Sequence, residues 1–331
     1  MLLDLNKFSI GNKQTVGIMS VYPLIAEDEK TNLAMFEDIK FNGTINYGQM
    51  SFTNNSDNVF ILPTGYSIMT KQAAQDHALT FASLLRPKEN KVFENACCIQ
   101  QTQGGYIKGE DNMEFSILPL YIRKQVLKNF RVSNNDYDNY NDFSRLWDDI
   151  RNFQQDLIKR SEGNLIYFFN KYLDRLATFN AEFECVPNQR GAIISINNKV
   201  IGIEVVPTHE YWSKIWSSLI RDCYGSEVLR LTELKIIKTF KDSMKNKLDL
   251  SKCSNVSDIK NVLEDLKNKE TEEAIEILKD ISNIKFTKQS HKALDKQNSF
   301  NDLKYSVIKG KGTVGEFYRE NENLIYLSLL F

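Results

Sequence analysis

The first 130 residues alternate short apolar runs with clusters of polar and turn-forming residues. The runs are rich in strand-forming residues, and they are TVGIMSVYPLI (15–25), NVFILPT (58–64), ALTFASLL (78–85) and KVFENACCI (91–99). Segments such as NNSDN and RPKEN separate them and contain residues that favour turns. This spacing predicts antiparallel strands rather than βαβ units.

From residue 118 to residue 178 the pattern changes to a helical period. In DFSRLWDDIRNFQQDLI the apolar side chains fall on one side of a helix, and they are Phe143, Leu146, Trp147, Ile150, Phe153 and Leu157. We therefore predict two or three packed helices over this segment.

A hairpin followed by a helix is predicted next. RGAIISINNKVIGIEVVP has two apolar runs around Asn197 and Asn198, which are suited to turning the chain. In the following THEYWSKIWSSLIRDC, Thr208 is a suitable N-cap, and Glu210 lies in the first turn, where the helix dipole favours an anion. One face of this helix is apolar and should pack on the sheet, with Trp212 and Trp216 in the core.

Residues 231–298 are rich in Lys, Glu, Asp and Ser and have weaker apolar stripes. We predict several small exposed helices joined by polar linkers, which form a charged insertion or appendage after an α+β domain at 1–230. Residues 299–331 return to strand patterns that should complete a sheet. The predicted fold class is α+β, with mostly antiparallel sheets packed by amphipathic helices and an appended polar helical region.

Composition and charge restrict the function classes. The chain has 331 residues, 42% of them hydrophobic, and its 42 basic and 43 acidic side chains give a net charge of -1. No overall positive field attracts nucleic acid, no apolar run approaches the roughly 18 residues of a membrane span, and MLLDLNKFSI does not resemble a signal peptide. We expect a cytoplasmic protein without nucleic-acid or membrane partners, and its five cysteines should be reduced thiols.

The sequence contains no phosphate-binding loop, HExxH, GxSxG or CxxC. GKGTVGE (310–316) has loop glycines but neither phosphate-loop spacing nor a helix behind it, and a hairpin turn is expected there. No cofactor is therefore expected. Cys97 and Cys98 are adjacent, and adjacent strand residues point to opposite faces, so they are poorly placed to bind one metal ion. We expect one of them to be buried and the other to face a pocket.

The residues with most functional interest are polar side chains at the ends of two predicted strands. Gln75, Asp76 and His77 directly precede one apolar strand, and Gln100 follows the cysteine pair at the end of another. If the two strands share a sheet edge, their amide, carboxylate and imidazole groups can hold a polar ligand. The alternative is a solvated loop.

Several of these segments together resemble one family. They are VFILPTGYSI, AAQDHALTFASLLRP, ENACCIQQTQGGYI, LPLYIRKQV, RLWDDI and the hairpin–helix unit that begins at PNQRGAIISI. In this order they resemble the ADP-ribosylglycohydrolase-and-rhodanese-phosphatase-associated (ARPP-type) domain over roughly residues 14–230. The resemblance implies a place among prokaryotic defence or nucleotide-processing systems, beside enzymes that handle ADP-ribose.

The chain departs from the family pattern at the candidate site. Ala74-Gln75-Asp76-His77 stands where the family has Lys-Gln-Asn-Arg, and Cys98-Ile99-Gln100 stands where it has Cys-Val-Glu. Gly104-Gly105-Tyr106 corresponds to a Gly-Arg-Trp motif. A glutamine does not take up a proton as a glutamate does. If the family has a carboxylate-dependent activity, we expect this member to have lost it and to have kept ligand binding.

Three hypotheses follow for the function. The first is a binding module for a nucleotide-derived, ADP-ribose-like small molecule, with Gln75, Asp76, His77, Gln100 and Tyr106 as ligand-binding residues. The second is a hydrolase that uses Asp76 and His77, with one of the adjacent cysteines as a remote nucleophile, although the sequence does not identify a catalytic residue. The third is a protein-interaction subunit that binds its partner through residues 231–298.

Overall fold

The computed structural model has an α+β fold in which every paired strand of the named sheets is antiparallel. The fold class therefore agrees with the sequence prediction. The structure describes residues 5–29, 33–44, 46–70, 76–94, 96–101, 105, 113–129, 143–236, 253–283, 287–289, 302–310, 312–321 and 323–331.

The elements are numbered in chain order. The strands are β1 (Ser9–Ile10), β2 (Gln14–Val16), β3 (Met19–Ile25), β4 (Ile39–Gly43), β5 (Met50–Asn54), β6 (Phe60–Leu62), β7 (Tyr66–Thr70), β8 (His77–Leu79), β9 (Ser83–Leu85), β10 (Asn90–Phe93), β11 (Ala96–Cys98), β12 (Met113–Ile117), β13 (Gln189–Ile196), β14 (Lys199–Val205), β15 (Thr287–Gln289), β16 (Leu303–Lys309), β17 (Val314–Glu320) and β18 (Asn323–Leu330). The α-helices are α1 (Leu120–Asn129), α2 (Phe143–Gln154), α3 (Ile166–Glu182), α4 (His209–Ser218), α5 (Ser226–Glu233) and α6 (Val256–Asn283), with a 3₁₀ turn at Phe36–Asp38 and a π-helical segment at Leu219–Gly225 between α4 and α5.

Among the described residues, the largest sheet has nine strands in the order β1-β3-β13-β14-β18-β17-β16-β15, with β2 also paired to β3. Its centre contains the predicted hairpin of β13 and β14. Asn197 and Asn198 both have a positive φ, 51° and 61°, which a two-residue type I′ turn requires. The C-terminal strand β18 pairs on one side with β14 and on the other with β17.

Both faces of this sheet are covered, so β13 is buried along its whole length. Ile194 points into the main core, which the sheet shares with the helices, while Ile193 points into a second core on the opposite face. The helix α6 contributes Ala274 and Leu278 to this second core.

The described part of 231–298 contains one 28-residue helix, α6, rather than the several small helices predicted from the sequence. This segment contains neither proline nor glycine and is rich in good helix formers, so nothing interrupts it. Its start is capped by Asn255, whose side-chain oxygen accepts the backbone N–H of Asp258 at 3.0 Å.

The helix α4 confirms the sequence prediction in detail. Thr208 is its N-cap, and the hydroxyl accepts the backbone N–H of Tyr211 at 3.1 Å. Trp212 and Trp216 are both buried, with 0% and 7% of their surface exposed. Within the described ranges, no helix combines the length and the apolar character needed to cross a membrane.

Candidate functional site

The predicted site residues meet where β8 and β11 pair in a four-stranded sheet of order β11-β8-β7-β12. The antiparallel register places His77 directly opposite Cys98. Asp76 precedes β8 and Gln100 lies just beyond β11, so these two residues adjoin the same end of the pair. The backbone N–H of Ile99 donates to the Asp76 carbonyl at 2.9 Å and extends the pairing by one step.

Asp76 and Gln100 bind each other through their side chains. The Gln100 side chain donates from Nε2 to Asp76 Oδ2 at 2.7 Å, and its Oε1 accepts the backbone N–H of Asp76 at 3.4 Å. Both residues are buried, with 0% and 2% exposed. A buried carboxylate is costly without a hydrogen-bond partner, so this pair fixes the end of one strand against the other.

His77 and Cys98 form a second polar contact, with Nε2 and Sγ 3.1 Å apart. Burial raises the pKa of the Cys98 thiol to about 11, although a backbone hydrogen bond from Gly48 acts in the opposite direction. The thiolate is the nucleophilic form of cysteine, and a raised pKa disfavours that form.

The prediction that one of the adjacent cysteines faces a pocket was wrong. Cys97 and Cys98 both have no exposed surface. They do point to opposite faces, but both faces of β11 are covered: Cys97 belongs to the main hydrophobic core, and Cys98 packs against His77. Gln75 and Tyr106, the other two predicted ligand-binding residues, lie outside the described residues.

The helix α2 and the turn after it complete the surroundings of Gln100. Trp147 donates its indole N–H to the Cys98 carbonyl at 3.1 Å, and Arg151 donates to the Gln101 side-chain oxygen. The backbone N–H of Leu165 donates to the Ile99 carbonyl at 3.0 Å. The α2–α3 connection therefore runs beside the end of β11.

This connection is held by one buried amide. Gln154, which is fully buried, donates to the Asn164 carbonyl at 2.9 Å and accepts the Ser161 hydroxyl. Asn164 forms an isolated β-bridge with Gln100. Sequence analysis missed Trp147 and Arg151 as site residues, although their spacing of four on a predicted helix would have placed them on one side of it.

A separate buried network joins the helices to the large sheet. Arg123 of α1 donates to Glu204 of β14 and to Ser328 of β18, both at 2.8 Å, and the Tyr224 hydroxyl donates to Glu204 at 2.8 Å. Burial alone would lower the pKa of Arg123, but the charge of Glu204 together with Cys223, Tyr224 and Tyr326 raises it. These charges are paired inside the core, which indicates a role in joining α1, β14 and β18.

Among the described residues, no group of three or more His, Cys, Asp and Glu side chains is arranged to hold a metal ion. The Asp76, His77 and Cys98 side chains instead make the contacts given above.

Comparison with known proteins identifies one family. A family model described as "ARPP-1: ARG and Rhodanese-Phosphatase-superfamily-associated Protein domain" matches residues 7–308. This match confirms the resemblance found in the sequence and extends it through α6 and β15. No curated protein and no solved structure matches the chain.

Proposed function

The chain belongs to the ARPP-1 family, and we propose that it is a binding protein for a nucleotide-derived, ADP-ribose-like metabolite. The observation that carries the proposal is the buried pair of Asp76 and Gln100, with its 2.7 Å hydrogen bond. The pair fixes the positions from which two polar stretches of sequence continue, KQAAQ before Asp76 and QTQGGY after Gln100. Binding residues act best when a rigid scaffold holds them.

The site residues then divide into two roles. Asp76, His77 and Gln100 are positioning residues, because they are buried and hydrogen-bond to neighbouring residues of the two strands. Gln75 and Tyr106 are the proposed direct contacts. An amide recognises a neutral polar edge through its paired donor and acceptor, and an aromatic ring stacks on a planar base.

A second candidate function is hydrolysis of such a metabolite, and the 3.1 Å contact between His77 Nε2 and Cys98 Sγ favours it. A cysteine with a histidine in hydrogen-bond reach is the arrangement that nucleophilic catalysis uses. The raised pKa of Cys98 and its burial speak for binding over catalysis.

The cellular setting is also part of the proposal. The family description associates these domains with ARG and the rhodanese-phosphatase superfamily, and we place this chain in a prokaryotic defence or nucleotide-processing system. A protein partner that binds residues 231–298 fits this setting, because several apolar side chains of α6, Val256 among them, are exposed. Co-purification of proteins with the full chain and with a chain lacking 231–298 tests this partner.

The decisive test of ligand binding is calorimetry with ADP-ribose, ADP, AMP and adenosine, together with mass spectrometry of small molecules released from the purified protein. Gln75→Ala and Tyr106→Ala should each weaken binding by about 1–3 kcal/mol, or roughly five- to 150-fold in Kd, with an unchanged melting temperature. The proposal fails if the wild-type protein releases no nucleotide-like compound and binds none of the four probes.

Turnover separates the two candidate functions. A binding protein leaves bound ADP-ribose intact over hours, whereas a hydrolase releases product at a rate that Cys98→Ala removes. Ligand binding by Cys98→Ala, measured in parallel, shows whether the fold and the site survive the substitution.

A further inference from the structure

The helix α2 presents an indole and a guanidinium one turn apart beside the end of β11. Trp147 is half-buried and bonded to the Cys98 carbonyl, and Arg151 is bonded to the side chain of Gln101. The indole ties α2 to the strand, which holds the guanidinium of Arg151 next to the Gln100–Gln101 segment. This guanidinium is accessible, because 39% of the Arg151 side chain is exposed.

Gly163 allows the turn to approach this guanidinium closely. It has a φ of +70°, and a Cβ atom placed on it would lie 2.8 Å from Gln101 Oε1 and 3.2 Å from Arg151 Nη1. A side chain at this position would require Gln101 to shift, and the positive φ would strain the backbone. The chain therefore brings a charged donor and an exposed amide together beside a buried glycine of the turn.

The donors of Arg151 are only partly used within the described structure. Nη1 donates to Gln101 and Nη2 donates to Asp148, while a guanidinium has five N–H donors in a planar fork. Asp148 is 61% exposed, so its ion pair with Arg151 is weak and can be exchanged for a stronger anion. The planar fork matches the geometry of phosphate oxygens.

From this geometry we propose that Arg151 binds the phosphate or diphosphate group of the ligand, with Trp147 as the residue that positions it and Asp148 as the anion that the phosphate displaces. Only the identity of the ligand as a nucleotide rests on the proposed function. The anion site itself rests on the contacts of Arg151, Gln101 and Gly163.

The test is calorimetry with inorganic pyrophosphate, and with ADP-ribose and adenosine as separate probes. Arg151→Gln should weaken pyrophosphate binding at least about tenfold, as expected for the loss of a charge-assisted hydrogen bond. The affinity of Arg151→Lys for pyrophosphate should lie between those of the wild type and Arg151→Gln, because lysine keeps the charge and lacks the planar fork of donors. Asp148→Asn should tighten binding by up to about fivefold, since the competing carboxylate is gone.

Arg175→Gln is the matched control. Arg175 of α3 is 50% exposed and pairs with Glu233 of α5 at 2.6 Å, so its loss removes the same charge and a similar ion pair on other helices. It should leave pyrophosphate binding unchanged. If the ion pair had only a structural role, Arg151→Gln and Asp148→Asn would both weaken pyrophosphate binding. Opposite effects of the two changes therefore indicate an anion site.

The outcomes test the anion site and the proposed function separately. Loss of pyrophosphate binding in Arg151→Gln is enough to support the anion site, even if ADP-ribose does not bind and the proposed function fails. If the wild type does not bind pyrophosphate at millimolar concentration, or Asp148→Asn weakens binding, the anion site is refuted. Unchanged ADP-ribose binding by Arg151→Gln would refute the assignment of Arg151 to the diphosphate of that ligand, while supporting the proposed function. Should Arg151→Gln unfold, Arg151→Lys and Asp148→Asn still give the answer.

Discussion

Glu316 is a carboxyl group inside the core, and replacing it with glutamine should change how stability depends on pH. Its Oε1 accepts the backbone N–H of Ala82 at 2.9 Å, and its Oε2 accepts the Tyr305 hydroxyl. Glutamine keeps an acceptor for the Ala82 N–H and offers a donor to Tyr305, as the protonated carboxyl does. The substitution therefore fixes the neutral form with little change of shape.

The expected magnitude follows from the pKa of this carboxyl. Burial raises it from 4.5 to about 7, against the opposing effects of its two hydrogen bonds and of Arg123. Because the folded protein holds this proton more tightly than the unfolded chain, the protonated carboxyl contributes its full stability below the unfolded pKa of 4.5. This contribution is lost as the pH rises through the folded pKa of about 7. Each unit corresponds to about 1.4 kcal/mol, so the loss amounts to roughly 3 kcal/mol.

The assay is urea unfolding of the wild type and Glu316→Gln at pH 5, 6, 7 and 8. The two free energies of unfolding should lie close together at pH 5, and the variant should become more stable than the wild type by roughly 3 kcal/mol at pH 8. Glu320→Gln, on the same strand but only half-buried, controls for the loss of a carboxylate. An equal difference at pH 5 and pH 8 would refute the reasoning, because Glu316 would then be ionised throughout.

Three other substitutions test the core, and urea unfolding measures each of them. Trp212→Ala should lower the free energy of unfolding by about 3–5 kcal/mol, because the indole is fully buried; a loss under roughly 0.5 kcal/mol would place it at the surface. Arg123→Ala should cost about 3–5 kcal/mol by leaving the buried Glu204 without its ion-pair partner, and the double change with Glu204→Gln should recover part of it. Gly202→Ala should destabilise strongly, since its Cβ would lie 2.0 Å from a tyrosine hydroxyl, whereas Gly310→Ala, with its nearest neighbour at 3.8 Å, should not.

Local patterns in the sequence were enough to predict much of the fold. The Asn197–Asn198 turn, the Thr208 cap and the buried face of α4 each depend on a few neighbouring residues, and the structure confirms all three. Apolar periodicity also located the helices of the middle segment. The pairing of β14 with β18 could not be predicted in this way, because it depends on contacts throughout the sheet rather than on residues that are neighbours in the sequence.

In the candidate site, too, local features could be predicted from the sequence and long-range packing could not. The sequence suggested that Asp76, His77 and Gln100 lie together, and they do, because each flanks or begins a strand of one pair. Burial of the cluster was not predictable, since it depends on α2 and on the turn around Gly163 packing over β11. Trp147 was assigned only to an apolar stripe, and its bond to the Cys98 carbonyl requires the register of α2 on the sheet.

The position of β18 between β14 and β17 has a consequence for how the protein is made. β14 ends at Val205 and β18 begins at Asn323, so the ribosome must add more than one hundred residues before the central hairpin gains its next partner. At roughly 5–20 residues per second, this interval lasts on the order of 10 s. Throughout that time the open edge of β14, with Ile203 and Val205, is a template for pairing with another nascent chain. Slow translation of the segment between these strands would therefore prolong exposure to aggregation, and chaperones that shield strand edges would matter most at this stage.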